Sequence, residues 1–417
     1  MSLRAAFFSL LFFILLPASG QAALVKNLYE VTLPVAGQDR QLRNAAFEQA
    51  FVQVLVRVSG SSLSSTRIDL RLAPRYVQQY RYLVVKKPDA EQPAATSDTP
   101  PEYQLWVQFN EGAIKRLLQD NALPIWGQQR PEVLVWIAVR DGKNRYILRN
   151  QDQSAIKQAA EKEAARRGLP ITWPRMDQDD RSVVSFADVW GSFWGPVLRA
   201  SKRYAVNSVL IGRMDWQGSS WKVDWSLAVD GQAQQWRLKA LDLELLMASG
   251  VDVATDQIAA RFSVLEDVAN QGQLVVHVNG VDGLRNYAGT VRYLRSLAPV
   301  KSVYATRVED NWVQFHVDLT GGKDDLRRII ALGRTLLPDT PPPVPVEAPA
   351  PQIRQPVTPP SVEAVQPVEA SPSADAPAPV QDEAVDTATD TEPVTLPTLP
   401  TPPPLPVLNM LTYRYNG

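Results

Sequence analysis

Val206-Asn207-Ser208-Val209-Leu210-Ile211 is a short apolar run between a helical stretch, Asp188 to Tyr204, and a tryptophan-bearing hairpin. Its reading decides the fold. A run of this length, rich in β-branched residues and flanked by a helical pattern, predicts a buried strand rather than a helix turn. Trp216, Trp221 and Trp225 lie near the hairpin turn that follows. A third strand is predicted over Trp236 to Leu245 and a closing helix over Val253 to Leu265. Upstream, Val133 to Val139 is apolar at every position, the pattern of a central strand covered by helices on both faces. Asp141-Gly142 turns the chain into Arg145 to Leu148. Ser154 is placed to cap a helix over Ala155 to Arg167, which Gly168 stops. Together these make a central α/β module over residues 127–270.

Two further modules flank it. Over residues 24–126 the pattern predicts a strand (Asn27 to Val35), a long helix (Gln38 to Val58) and a short helix (Arg75 to Tyr80). Strands Tyr82 to Lys86 and Tyr103 to Phe109 follow, around a polar insert, and a helix from Gly112 to Asn121. Over residues 272–337 the order is strand Gln273 to Val278, helix Leu284 to Leu297, strands Val300 to Val308 and Trp312 to Leu319, and helix Asp324 to Leu336. This βαββα order reads as a ferredoxin-like split βαβ module. Leu42-Arg43-Asn44 echoes Leu284-Arg285-Asn286, and Trp106-Val107-Gln108-Phe109 echoes Trp312-Val313-Gln314-Phe315, which suggests a duplicated architecture. The fold class is therefore mixed α+β, with two split βαβ modules around a central α/β module.

The ends read differently. Arg4, the apolar stretch Ala5 to Leu16 and the small-residue region Pro17 to Ala23 make residues 1–23 a secretory signal peptide. The apolar run is short for a span, which takes about 20 residues. Residues 338–408 are a proline-rich tail that reads as disordered: of the 34 prolines in the 417-residue chain, 21 lie from Pro338 onward. From Asp339 onward the acidic residues number 10 against 2 basic, so the net charge of −1 hides a basic body and an acidic tail. Residues 409–417 are an aromatic tip, in which Leu411, Tyr413 and Tyr415 recur at strand spacing, a pattern suited to adding to a sheet edge.

With no cysteine the chain has no disulfide, no thiolate chemistry and no cysteine lipidation. An exported periplasmic protein without a lipid anchor is the expectation. No basic helix or aromatic-basic motif points to nucleic acid, and no Walker, dinucleotide or G-x-S-x-G pattern is present. His277 and His316 are the only histidines. They lie on predicted neighbouring strands and are the candidate metal ligands, with Asp318 nearby; a metal site takes three or four ligands, so an ordinary sheet face is the simpler reading. Asp177-Gln178-Asp179-Asp180 lacks the pattern of a calcium loop. No cofactor is implied, and the expectation is a non-enzymatic protein. Nine of the 11 tryptophans fall between Trp126 and Trp236. Trp216, Trp221 and Trp225 could form an aromatic platform for sugars or proteins, or pack in the core.

Four segments carry a resemblance: Leu28-Tyr29-Glu30-Val31-Thr32-Leu33-Pro34-Val35, Leu55-Val56-Arg57-Val58-Ser59-Gly60, Arg130-Pro131-Glu132-Val133-Leu134-Val135-Trp136 and Val278-Asn279-Gly280-Val281. The chain resembles, over most of residues 24–337, an exported proteobacterial family classed as a domain of unknown function. The resemblance implies an envelope location and no assigned activity. In element order the middle module is similar to the amino-terminal domain of the TolB translocation protein and to periplasmic activators of peptidoglycan synthases, which implies partner binding. Two functions are weighed: an adaptor or scaffold binding an envelope protein, and a peptidoglycan or glycan binder using the tryptophan face. A hydrolase with an unrecognised site is a third.

Overall fold

A computed structural model describes residues 22–85, 102–206, 208–265, 272–339 and 410–417. Residues 1–21 of the signal segment, the polar insert and nearly all of the proline-rich tail lie outside the described residues. The architecture is mixed α+β, with separate sheets of three, six and five strands and a two-stranded ribbon. The described residues belong to one compact unit.

The first sheet is built from β2 (Glu30–Val35), β3 (Val77–Val85) and β4 (Glu102–Phe109), in the order β2-β4-β3. A short strand, β1 (Ala22–Leu24), precedes it and pairs with β5 (Gln129–Pro131). One sheet face is covered by α1 (Arg40–Ser59) and α3 (Glu111–Asp120), whose buried residues join Val31, Leu105, Val107 and Phe109 in one core. Asp39 caps α1 by accepting the Leu42 amide, and Gly60 ends it with φ +75°, a conformation that costs glycine no steric strain. The helix expected after Pro74 shrinks to α2 (Ala73–Tyr76), because the chain enters β3 at Val77.

The central sheet contains β6 (Val133–Asp141), β7 (Asn144–Ile147), β8 (Ile171–Thr172), β9 (Ser208–Trp216), β10 (Trp221–Val229) and β11 (Gln232–Ala240). The order is β11-β10-β9-β6-β7, with β8 also on β6. Strands β6 and β9 run parallel, while β9, β10 and β11 form an antiparallel meander. Residues Val133 to Val139 are all buried because both faces are covered. Helices α4 (Ala155–Arg167) and α8 (Leu243–Phe262) pack on one face. Helices α5 (Gln178–Val183), α6 (Phe186–Trp190) and α7 (Trp194–Ser201) pack on the other.

Three elements here differ from the sequence reading. The single helix expected over Asp188 to Tyr204 breaks at Gly191 and Ser192, where Ser192 takes φ +53°. The third strand ends at Ala240, and the closing helix starts ten residues earlier than expected. Asp242 caps it by accepting the Leu245 amide at 3.0 Å, which turns the apolar Leu243-Glu244-Leu245-Leu246 into a first helical turn.

The third sheet is built from β12 (Gln273–Asn279), β13 (Val300–Glu309) and β14 (Trp312–Leu319), with α9 (Gly283–Ser296) and α10 (Lys323–Leu332) on one face. Its order β13-β14-β12 repeats β3-β4-β2. The shared βαββα topology is real, but the four-residue echo is out of register. Trp106 is the fifth residue of β4, opposite Thr32, whereas Trp312 opens β14 opposite Asn279. The position matching Trp106 is His316. Arg81 faces Trp106 across one strand pair as Tyr304 faces His316 across the other.

Two strands extend this sheet beyond the expected βαββα unit. The helix expected to reach Leu336 stops at Leu332, and Leu336–Pro338 form β15. The aromatic tip, Met410–Tyr415, forms β16 and lies between β12 and β15. The tip is thus a strand of the body's own third module. A fourth strand here completes a core that three strands and two helices leave open at one side.

Candidate functional site

Leu411, Tyr413 and Tyr415 share the inward face of β16. The strand runs parallel to β12 over five residue pairs and antiparallel to β15 over three. Tyr413 is buried in the third core, where Leu411 and Tyr415 pack beside it. Burial pushes the Tyr413 phenol up to about 12, so it stays neutral. The Tyr415 hydroxyl fits against Gly289 of α9, where an added Cβ would come within 2.6 Å of it. The Asp339 amide donates to the Thr412 carbonyl at 3.1 Å, and the Asn416 amide to the Thr335 carbonyl at 3.0 Å. Asp339 also accepts from Asn279 at 3.0 Å and faces Arg414 at 3.6 Å.

The three tryptophans part company. Trp216 and Trp221 are cross-strand partners at the tip of the β9–β10 hairpin, half-buried, with ring centroids 5.1 Å apart. Trp225 is 1 % exposed, stacks against Trp236 at 6.3 Å and fills the space left by Gly212 and Gly250. It belongs to the core rather than to any binding platform. Sequence alternation put Trp221 and Trp225 on one strand face, as they are, but could not show that the core buries the second fully and the first only in part.

The two histidines serve the sheet. The His277 ring lies 4.6 Å from that of Trp312, and its Nε2 is 2.9 Å from Asn279 Oδ1. His316 stacks on Tyr304 at 4.9 Å, with Nε2 3.8 Å from Asp318. Among the described residues no group of three or more metal-ligating side chains converges. The acidic loop is also structural. Asp177 caps α5 and is bound by Arg203, while the buried Asp180 accepts from the Met176 amide and the Tyr204 hydroxyl.

Two features escaped the sequence reading. The first is an arginine junction between the first and central modules. Arg130, fully buried, donates to the carbonyls of Arg57, Trp126, Gly127, Arg167 and Gly168 at 2.7–3.1 Å and lies 3.9 Å above the Trp126 ring. One guanidinium thereby closes the carboxyl-terminal ends of α1 and α4, where carbonyls are unpaired and the helix dipole favours a cation. Desolvation, aided by Arg57 and Arg167, pulls Arg130 down to about 9, still charged at neutral pH. Arg57 donates to the Arg166 and Glu30 carbonyls at 2.9 and 2.8 Å. Arg167, equally buried, reaches Asp252, Asp256 and the Gly60 carbonyl, and Asp256 also holds Ser62. The segments around Arg57 and Arg130 that carry the sequence resemblance are therefore joints of the fold.

The second is a charged ladder on the central sheet, on the side of α5–α7 and partly covered by Trp190 of α6. The register aligns Arg145, Arg140, Asp215, Lys222 and Lys239 in one row across five strands. The next row holds Arg213, Asp224 and Arg237. Six basic side chains thus surround two carboxylates. Arg140 grips Asp215 with two bonds of 2.7 Å, and Arg213 and Arg237 both bind Asp224. The Arg140 contact holds Asp215 below its usual range. Partial burial raises the Asp224 carboxyl, but Arg237 and Arg213 outweigh it and the net direction is down. The Trp190 ring of α6 packs against the ladder, 4.6 Å from the Arg140 guanidinium and 5.6 Å from that of Arg213. Nearby, Phe193 is 57 % exposed. Single residues gave no sign of this; only strand register brings them into rows.

Residues 22–127 match a family model described as Domain of unknown function (DUF8605). The match covers the first module and stops before Arg130. No curated protein and no solved structure matches the chain. Among the described residues no helix is long and apolar enough to cross a membrane. A cleft of about 840 Å³ beside β7 is lined by Tyr146, Arg149, Asp152, Met176, Arg181 and Phe186 among others. Arg149 and Asp152 are bound to each other there, which leaves no free acid-base pair from those two groups.

Proposed function

We propose that the chain is a non-enzymatic adaptor or scaffold of the periplasm that binds an acidic protein partner. The observation that carries this reading is the charged ladder. It is a partly exposed row of charged side chains spread across five strands rather than gathered in a cleft, and extended charged faces suit macromolecules whereas small ligands are taken in clefts. Six bases around two already-paired acids leave an excess of positive charge, which steers an acidic surface into place. The signal-like amino terminus, the resemblance to an exported proteobacterial family and the likeness in element order to the TolB amino-terminal domain support the envelope setting and partner binding.

The test is in-cell crosslinking with mass spectrometry, using a photo-crosslinking residue at Lys239 and comparing the natural chain with Arg213→Glu/Arg237→Glu. The expected result is a protein adduct whose yield falls at least tenfold in the double variant. Capture of it by the purified protein should weaken as salt rises. An adduct of unchanged yield in the variant would refute the ladder as the docking face. A second reading, a peptidoglycan or glycan binder, is favoured only by the half-buried Trp216–Trp221 pair at its hairpin tip. Retention on purified cell-wall sacculi that is lost in Trp216→Ala/Trp221→Ala would select it.

A further inference from the structure

The third module takes a strand that arrives from far along the chain. Residues 339–409 separate β15 from β16, so 71 residues connect two strands that lie side by side. The core elements β12, α9, β13, β14 and α10 all precede that connection. Removing β16 therefore takes away the strand between β12 and β15 and leaves the βαββα frame continuous. We propose that β16 is an exchangeable strand. The slot between β12 and β15 is then a binding site for an extended segment of another protein, with the chain's own tip as its resident competitor.

The slot states what it accepts. On the inward face it takes a large apolar residue where Leu411 stands, an aromatic at Tyr413 buried among core residues, and a second aromatic at Tyr415 whose hydroxyl meets Gly289. On the outward face it favours a basic residue at the Arg414 position, opposite Asp339. Main-chain bonds from both neighbouring strands supply sequence-independent affinity, as in other strand-addition complexes. The partner segment is therefore apolar-x-aromatic-basic-aromatic, entering parallel to β12.

The duplicated first module shows by contrast why this slot is open to a strand. There the matching edge is the outer side of β2. The Phe109 amide donates to the Tyr29 carbonyl, so strand alternation turns the amides of residues 30, 32 and 34 outward. Position 34 is proline and has no amide; the Glu30 amide bonds the Asn27 carbonyl, and the Glu30 carbonyl accepts from Arg57. That edge is blocked in the way sheet proteins guard exposed edges. The β12 edge carries no proline and is covered by β16 instead.

The experiment uses the full chain with a protease recognition sequence placed after Val407. Fluorescence anisotropy follows a labelled peptide of residues 408–417 before and after cleavage. A tethered strand competes at an effective concentration on the order of millimolar, and loss of the tether changes apparent affinity by about 10²-fold or more. The expected result is uptake by the cleaved chain at least 100-fold tighter than by the uncleaved chain. A peptide of unrelated sequence with the same alternation should enter as well, and one with serine at positions 411, 413 and 415 should not. A chain ending at Val407, checked for folding by circular dichroism, should bind the peptide directly. A cleaved chain that never exchanges its strand, or that accepts the serine peptide equally, would overturn the proposal. An uncleaved chain that runs as a dimer through exchanged β16 strands would assign the slot to a second copy and overturn the separate partner.

Discussion

Replacing Arg130 should loosen the joint between the first and central modules more than any other single substitution there. Five carbonyls accept from its guanidinium. Hydrogen bonds to a charged group are worth about 1.5–3 kcal/mol each, so simple addition would give an unreasonably large sum. The desolvation cost of burying a cation, several kcal/mol, opposes it. Removing one side of a buried charged arrangement costs about 3–5 kcal/mol, and Arg130→Met should fall in that range. Arg130→Lys keeps the charge but has three donors on one nitrogen. It cannot span acceptors on two helix ends, and should recover only part of the loss. Hydrogen exchange read by mass spectrometry is the assay, because a chain of several modules need not unfold in one step. Protection should fall at the amides of Gly60, Trp126 and Leu169, which bond to Val56, Val58 and Ala164. The β13–β14 hairpin lies in the third sheet, away from these bonds, and peptides there should be unaffected by the change. A loss below about 1 kcal/mol at the joint, or uniform loss across the chain, would refute the account of Arg130 as a double helix cap.

Two further outcomes follow from local geometry. Glycine to alanine inside a helix normally gains up to about 1 kcal/mol, and Gly195→Ala in α7 should do so, since only the Arg199 side chain lies near, at 3.6 Å. Gly250→Ala in α8 should instead lose about 1–3 kcal/mol by overpacking, because its Cβ would lie 2.5 Å from the Trp225 indole; urea unfolding of both variants checks the opposite signs. The carboxyl of Asp177, held at about 2 by Arg203 and the Asp180 amide, should titrate near pH 2 in carbon-detected magnetic resonance. Its folded value lies below the ordinary one near 3.8. Its contribution to stability is therefore complete above about pH 4 and is lost as the pH falls through about 2. Arg203→Ala should return the midpoint towards the ordinary value.

Much of the fold was legible because local signals agreed with one another. Helix α4 runs from its Ser154 cap to its Gly168 stop, both read from sequence, and β14 covers the expected Trp312 to Leu319. Val133 to Val139 announced burial on both faces, and both are covered. The misreadings came where two patterns compete over few residues. Leu243 to Leu246 fits a strand until Asp242 is seen as a cap, and Arg334 to Leu336 fits a helix until the turn at Gly333 sends Leu336 into β15. Pairing over long distances was not legible. Nothing in Leu411, Tyr413 and Tyr415 says whose sheet edge they join, because strand spacing specifies a face but not a neighbour. The ladder was hidden for the same reason: Arg140, Arg213 and Arg237 are far apart in sequence, and registers alone make them neighbours.

The place of β16 also sets an order in time. Strand β12 ends at Asn279 and β16 begins at Met410, so 130 residues must be polymerised between them. At about 5–20 residues per second, that takes roughly 7–26 s. Over the last 71 of those residues, once β15 has been made at Pro338, the third sheet has every element but the one that covers its β12 edge. A bare edge is a template for any other extended chain nearby. The newborn protein therefore passes through a state in which the edge later covered by its final strand is open to whatever reaches it first.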